Sequence, residues 1–477
     1  MHVHLIGVAG TAMGSLAGLL KRAGHRVTGS DTAFYPPMGE ALTRWGIETL
    51  QGFDAKHLTP APDLVVVGNV CRSSNVEARA AIDTGIPYTS LPKALAQFCL
   101  DGRRSFVIAG THGKTTTTAL CAHLLDQVGL APGFLIGGIP LGFSESFRGA
   151  APGAPFVIEG DEYDSAFFEK TPKFWHYQPE VAIIQAIEYD HADIYPDMAS
   201  YRAAFEEFAR RLPAHGVLVA NAADAEVRAV AKHAACKVSY YAVDGEDTGD
   251  VMPEWLIAPA PVQGGLLPFD LFLGGTSCGR FYSPLFGSYN LKNVVAALAL
   301  CALATGAELP RLGQALTRFA GVKRRQELRG MADGVRVYDD FAHHPTAVLE
   351  TLQGFRARHP EGKLIAVFEP RSATASRRIH QDAYAHAFGS ADEIMLAPVG
   401  RSEIPEAERL DLVQLQRDVG AAGKHVFLGE SIDALVQRIA AVAQAGDTVV
   451  AMSNGAFGQI HDKVLCALAC RARRAAE

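Results

Sequence analysis

The run Gly110-Thr111-His112-Gly113-Lys114-Thr115-Thr116 constrains this chain more than any other segment, because it joins an apolar stretch, Ser105–Ala109, to a helical pattern, Thr116–Gln127. A glycine turn that opens a helix aims backbone amides and the positive end of the helix dipole at one point, and a neighbouring lysine adds a full charge. Such a turn cradles phosphate oxygens, and the hydroxyl after the lysine can hold magnesium. The general G-x-x-x-x-G-K-[ST] pattern needs glycine at 108, where Ile108 stands, which counts against ordinary motor and GTPase readings. A glycine turn with an idle surface lysine is the plain alternative, and it leaves the strand–loop–helix context unexplained.

Two further motifs follow strand-like runs. Glu159-Gly160-Asp161-Glu162-Tyr163-Asp164 comes after Phe156–Ile158, and Glu188-Tyr189-Asp190-His191-Ala192-Asp193 after Val181–Ala186. Carboxylates at the carboxyl end of a strand, on the edge that bears a phosphate loop, suit a hard cation bridging phosphates. By itself an acidic loop is usually a solvated turn and a lone histidine usually structural; carboxylates downstream of a phosphate loop make His191 a metal-ligand candidate. At the amino terminus, Gly7-x-x-Gly10-x-x-x-Gly14 lies between a strand and a helix, and Ser30-Asp31 closes the next strand. That layout can seat a pyrophosphate, but it is not G-x-G-x-x-G, so it supports a nicotinamide dinucleotide only weakly.

Apolar runs alternate with helical patterns along the whole chain, which predicts an α/β fold with parallel sheets. The 477 residues, at roughly 150 per domain, suggest three domains. The breaks place them at 1–102, 103–328 and 329–477: a Rossmann-like unit, a central P-loop ATPase-like unit and a Rossmann-like carboxy-terminal unit. Between Asp244 and Pro284 small antiparallel strands are expected to decorate the second unit. Charge excludes some functions: 51 acidic residues against 44 basic give a net charge of −7, so no broad cationic face awaits a nucleic acid. The basic group Arg471–Arg474 reads as a solvated tail. Met1 leads into Val3–Val8 without a basic n-region, and no stretch reaches the roughly 20 apolar residues of a membrane span, so a cytoplasmic location is expected. The eight cysteines show no C-x-x-C spacing, and Cys466 and Cys470, near His461, read as the core face of a helix.

Taken in order, the loop Gly110–Thr118, Glu159–Asp164, Asp190-His191, Asn290-x-x-Asn293, Lys323-Arg324-Arg325 and Asp339–Pro345 resemble the Mur ligases over nearly the whole length. Within that family Tyr35-Pro36-Pro37-Met38, Gly68-Asn69, Glu162-Tyr163-Asp164, Glu369-Pro370-Arg371-Ser372 and Ser453-Asn454-Gly455-Ala456-Phe457-Gly458 look like the branch that joins UDP-N-acetylmuramate to the cell-wall tripeptide L-alanyl-γ-D-glutamyl-meso-diaminopimelate. The branch that adds L-alanine is the alternative. The resemblance implies ATP and Mg2+ as cofactors, with Gly110, Thr111, His112, Gly113, Lys114, Thr115 and Thr116 around the phosphates. It implies Thr115 and Glu159 on a first magnesium and His191 on a second, Asn293 at the adenine, Arg325 at the transferring phosphate, and Asp340 at the ribose or phosphates. Gly10, Thr11, Ser30, Asp31 and Asn69 would take the UDP-sugar, and Arg371, Ser453 and Asn454 the peptide. The carbamylated lysine of several members has no counterpart, since Phe205 and Glu206 stand in that region, and the segment from Ser453 is poorer in glycine than is usual in the family. A monomer or weak homo-oligomer is expected. A nicotinamide-dependent dehydrogenase would leave Lys114 unexplained, and a non-catalytic UDP-sugar sensor would leave Lys114, Glu159 and His191 without a task.

Overall fold

The structure is a computed structural model, which describes residues 1–262, 265–401 and 404–476. Apolar runs such as Val181–Ile184 and Leu364–Phe368 are buried at every position, the pattern of strands covered on both faces by helices. Among the described residues three large sheets result, with a two-stranded ribbon of Asp164–Ala166 and Glu169–Pro172 beside them.

The first holds five parallel strands in the order Glu48–Gln51, Arg26–Asp31, His2–Ile6, Leu64–Val67, Tyr88–Ser90. The chain reverses direction across the sheet at His2–Ile6, beside the glycine loop, as in Rossmann-like units. The third sheet has five parallel strands, Val335–Asp340, Thr448–Met452, Leu364–Phe368, Glu393–Leu396 and His425–Leu428, and Glu327–Ala332 adds an antiparallel edge.

The central sheet has ten strands. Seven run parallel, from Trp255–Pro259 at one side to Gly133–Leu135 at the other. Leu267–Leu273, Thr276–Ser283 and Phe147–Arg148 are antiparallel. The segment between Asp244 and Pro284 thus supplies the expected antiparallel strands, Leu267–Leu273 and Thr276–Ser283, but as a prolongation of the main sheet that begins with Trp255–Pro259 parallel to Lys237–Val243. Its cause is burial: Trp255, Ile257, Phe269 and Leu271 join the core beneath the helix Ser288–Thr305.

Arg104–Ala109 lies between Pro155–Gly160 and Val181–Ile184, and all three run in the same direction. The phosphate loop, the acidic turn and the histidine turn therefore leave neighbouring strands at the same sheet edge, where ligands of open α/β sheets bind.

The last helix corrects two readings. In Ile460–Ala476 the core face is Ile460, Val464 and Leu468, while Cys466 and Cys470 are exposed. His461 is buried and lies 3.3 Å from Asp339. Arg471 is anchored: it pairs with Asp333 at 2.6 Å and donates to the carbonyls of Ala440 and Ala443. Helix geometry decides this, because a residue four positions from a core residue shares its face, whereas one two positions away does not.

The first unit rests on the second through the helix Thr11–Arg22. Gly18 lies so near Phe147 that a Cβ there would overlap the ring. Trp45 meets the same ring edge-on at 4.9 Å and donates to Glu145 at 3.0 Å. Gly18→Leu should therefore force the units apart and cost about 1–3 kcal/mol, the usual effect of overpacking; an unchanged denaturation midpoint would contradict this packing.

Candidate active site

Two glycines shape the phosphate loop. Gly110 has φ +130°, and a Cβ there would lie 3.0 Å from the Ala186 nitrogen. Gly113 has φ +79°, caps the helix Lys114–Gln127, and sits where a Cβ would overlap Asn293 Oδ1. Both positions require glycine, on torsion and on space. Beneath the loop Gln185 Nε2 donates to Thr117 Oγ1 at 2.8 Å and to Asn293 Oδ1 at 2.6 Å, and Asn293 in turn donates to Asn290 at 3.1 Å.

Lys114 Nζ folds back to the Gly110 carbonyl at 2.6 Å and to both oxygens of Glu162, at 3.0 and 3.2 Å. Glu162 is fully buried, and its carboxylate also meets His191 Nε2 at 2.8 Å and accepts from Tyr201 at 3.2 Å. Burial works against each of these charges, yet their mutual attraction prevails. Lys114 is pushed up, chiefly by Glu162; His191 is pushed up by its hydrogen bond and charge pairing with Glu162; Glu162 is held down at about 2, chiefly by Lys114. His191 itself has φ +56°, and Asp190 accepts its backbone amide at 2.7 Å.

On the other side of the loop Thr115 Oγ1 donates to Glu159 at 3.0 Å and accepts from Arg325 at 3.3 Å. The Gly137 amide also donates to Glu159, at 2.5 Å. Burial, then Asp161, pushes Glu159 up to about 7. Thr115 and Glu159 are oxygen donors of the kind magnesium prefers, and a cation there would offset the cost of that buried carboxylate, so this pair fits the ion. His191 fits less directly, because its Nε2 is engaged by Glu162.

Lys114, Thr115, Glu159, Arg325 and, through Glu162, His191 are thus drawn together. Asp340 stands behind them: its oxygens accept the amides of Gln326 and Ala342, each at 2.8 Å, which ties the segment holding Arg325 to the third sheet. A cavity of about 350 Å3 opens beside the loop, lined by His112, Gly113, Glu188, Tyr289, Asn293 and Thr346 among others; its size falls within the roughly 300–1,000 Å3 of small-molecule pockets. Thr346 belongs to the third unit and donates to Glu188 at 2.7 Å, so the cavity lies between units.

The remaining site residues are more scattered. Gly10, Thr11 and Asn69 are exposed on the first unit. Ser30 is buried and its hydroxyl is spent on Glu77, while Asp31 accepts the Ala9 amide at 2.9 Å and so shapes the glycine loop from beneath. Ser453 donates to Glu369, Asn454 Oδ1 is buried without a partner among the described residues, and exposed Arg371 lies over Gly455. Arg324 holds this turn to the central unit by donating to the Ser453 carbonyl at 2.7 Å and the Gly455 carbonyl at 2.5 Å. Sequence reasoning did not single out Glu162 from the other acids of its motif, and it missed Gln185 and Glu188 as site residues.

Models of the Mur ligase family match in chain order: the catalytic domain at residues 2–103, the middle domain at 108–301 and the glutamate ligase domain at 324–455. A protein of Escherichia coli (strain K12), UDP-N-acetylmuramate–L-alanyl-γ-D-glutamyl-meso-2,6-diaminoheptandioate ligase, is 38% identical over 476 residues, covering 100% of both chains. The chain belongs to the Mur ligase family. The crystal structure of a murein peptide ligase from Psychrobacter arcticus 273-4 is similar, with 35% identity and a TM-score of 0.71 over 98% of this chain and 99% of that one. A UDP-N-acetylmuramate–L-alanine ligase of Roseiflexus sp. (strain RS-1) is 35% identical over 84% of this chain and 85% of its own. This Mur ligase therefore matches ligases of both names, tripeptide and alanine, along nearly its whole length.

The buried pair sets a pH test. A raised His191 contributes stability in full below the ordinary value of 6.5, and the contribution is lost as pH rises through the raised value. Glu162→Gln should bring the His191 titration, followed by NMR in metal-free protein, to lower pH; an unmoved titration would show that Glu162 does not hold the imidazolium.

Proposed function

We propose that this enzyme joins the carboxylate of UDP-N-acetylmuramate to the amine of L-alanyl-γ-D-glutamyl-meso-diaminopimelate, with ATP converted to ADP and phosphate. The observation that carries this reading is the convergence of Lys114, Thr115, Glu159 and Arg325 on the opening of one helix, in a chain that matches a ligase of that name from end to end. Return of a tripeptide to a nucleotide-linked sugar is a recycling reaction of the cell wall, and the need for ATP places it in the cytoplasm. Among the described residues no helix is long and apolar enough to cross a membrane.

A carboxylate does not condense with an amine at neutral pH unless it is activated. Here its oxygen attacks the γ-phosphorus of ATP, and the peptide amine then displaces phosphate from the resulting acyl phosphate. Amides at the start of the helix Lys114–Gln127 and the Lys114 ammonium would receive the phosphates, with the adenosine in the adjoining cavity over Asn293. Arg325, 3.3 Å from Thr115, would meet charge that develops on the transferring group. Thr115 and Glu159 would hold magnesium, which would supply further neutralisation of phosphate charge. The UDP-sugar would lie against Gly10, Thr11 and Asn69, and the peptide against Arg371 and the Ser453–Asn454 turn. The reaction then needs all three units, and contacts such as Thr346 to Glu188 close them on one another.

The alanine-adding reading rests on the Roseiflexus relative. Phosphate release with UDP-N-acetylmuramate, ATP and magnesium separates the two: tripeptide should support turnover and free L-alanine should not, and the reverse pattern would reassign the enzyme. Lys114→Ala should lower the tripeptide reaction by about 10²–10³-fold or more, the scale of lost electrostatic stabilisation, while leaving UDP-sugar binding within a few-fold. Retained turnover would remove Lys114 from the phosphate site.

A further inference from the structure

His344 has no place in the scheme above, and its surroundings are unusual. It is 6% exposed, and neither ring nitrogen has a hydrogen-bond partner among the described residues. An imidazole offers at least one N–H or lone pair at each nitrogen, so a buried ring without partners calls for an explanation. Its Nδ1 lies 3.2 Å from Glu188 Oε2, and His112 Nε2 lies 3.3 Å from the same oxygen. The ligand atoms of all three residues fall within 4.8 Å of one another. Donors bound at about 2.0–2.1 Å around a tetrahedral ion stand roughly 3.3 Å apart, and the two distances from the histidines to Glu188 match that separation.

We propose that His112, Glu188 and His344 form a binding site for a divalent transition metal of the zinc class, bridging the central and third units. Two imidazoles and one carboxylate suit zinc, and they do not suit magnesium, which prefers oxygen donors. Thr346 donates to Glu188 at 2.7 Å and fixes the carboxylate, the usual role of a group behind a metal ligand. His380 packs edge-on against His344 at 4.5 Å and closes the far side. His112 and Glu188 also line the 350 Å3 cavity, which leaves room for water as a fourth ligand. The site uses neither Thr115 nor Glu159, and it does not depend on the ligase reading. An ion there fastens the phosphate loop and the turn after Ile184 to the segment preceding the helix Pro345–Arg358, so it holds the two units in the arrangement seen here.

Zinc chloride titrated calorimetrically into the full chain, without nucleotide or magnesium, tests the site, together with X-ray absorption of the 1:1 complex. The expected result is one zinc per chain in a shell of nitrogen and oxygen at about 2.0 Å that includes two imidazoles, with affinity at least tenfold weaker in both His344→Ala and His344→Gln. The glutamine variant keeps most of the side-chain volume, and the absorption measurement on the unaltered chain stands whatever the variants do. Absence of saturable binding, undiminished affinity in both variants, or sulfur in the shell, which would place the ion at cysteines, would each overturn the proposal.

Discussion

The Glu162 carboxylate is the charge around which the site is arranged. Fully buried, it would be very costly alone; with Lys114, His191 and Tyr201 directed at it, the cost is met by their attraction and hydrogen bonds. The same contacts fasten the phosphate loop, the acidic turn and the histidine turn to one another before any ligand arrives. Catalysis by fixed charges depends on such prior arrangement, since groups already in place need no reorganisation as the reaction proceeds. An incoming phosphate would compete with Glu162 for Lys114, and His191 would remain to hold the acid.

The scaffold supplies the rest. Because Arg104–Ala109 lies between Pro155–Gly160 and Val181–Ile184, the three motif-bearing loops leave one sheet edge side by side. The first unit stands against this unit through apolar and polar contacts together, Gly18 and Trp45 on Phe147 beside Trp45 on Glu145 and Lys93 on Glu169, and the third unit through further polar contacts. The polar contacts of the third unit, Thr346 to Glu188 and Arg324 to the Ser453–Gly455 turn, border the cavity beside the phosphate loop and the proposed peptide surface. Polar, partly solvated contacts of this kind are suited to opening and reclosing as substrates pass.

Much of the fold was legible because its central strands are apolar throughout; Val181–Ile184, Leu364–Phe368 and Thr448–Met452 announce themselves. Edge strands did not. Glu48–Gln51 and Glu327–Ala332 are short, polar and half exposed, and their place comes from pairing with a neighbour that the local sequence does not name. At the site, the phosphate loop and the two acidic motifs were visible because each is contiguous in the chain. Which acid faces Lys114 was not, since Glu159 and Glu162 differ only in how the turn after Gly160 directs them. The His112–Glu188–His344 group joins three separate segments, and only the packing of the third unit on the second reveals it.

The proposed reaction depends on transfer of a phosphoryl group from ATP, held at Lys114, to a substrate carboxylate. The most direct measurement places 18O in the carboxylate of UDP-N-acetylmuramate and follows the label by mass spectrometry after a single turnover. One labelled oxygen is expected in the released inorganic phosphate, carried there through the acyl phosphate. Product formed with unlabelled phosphate would contradict it.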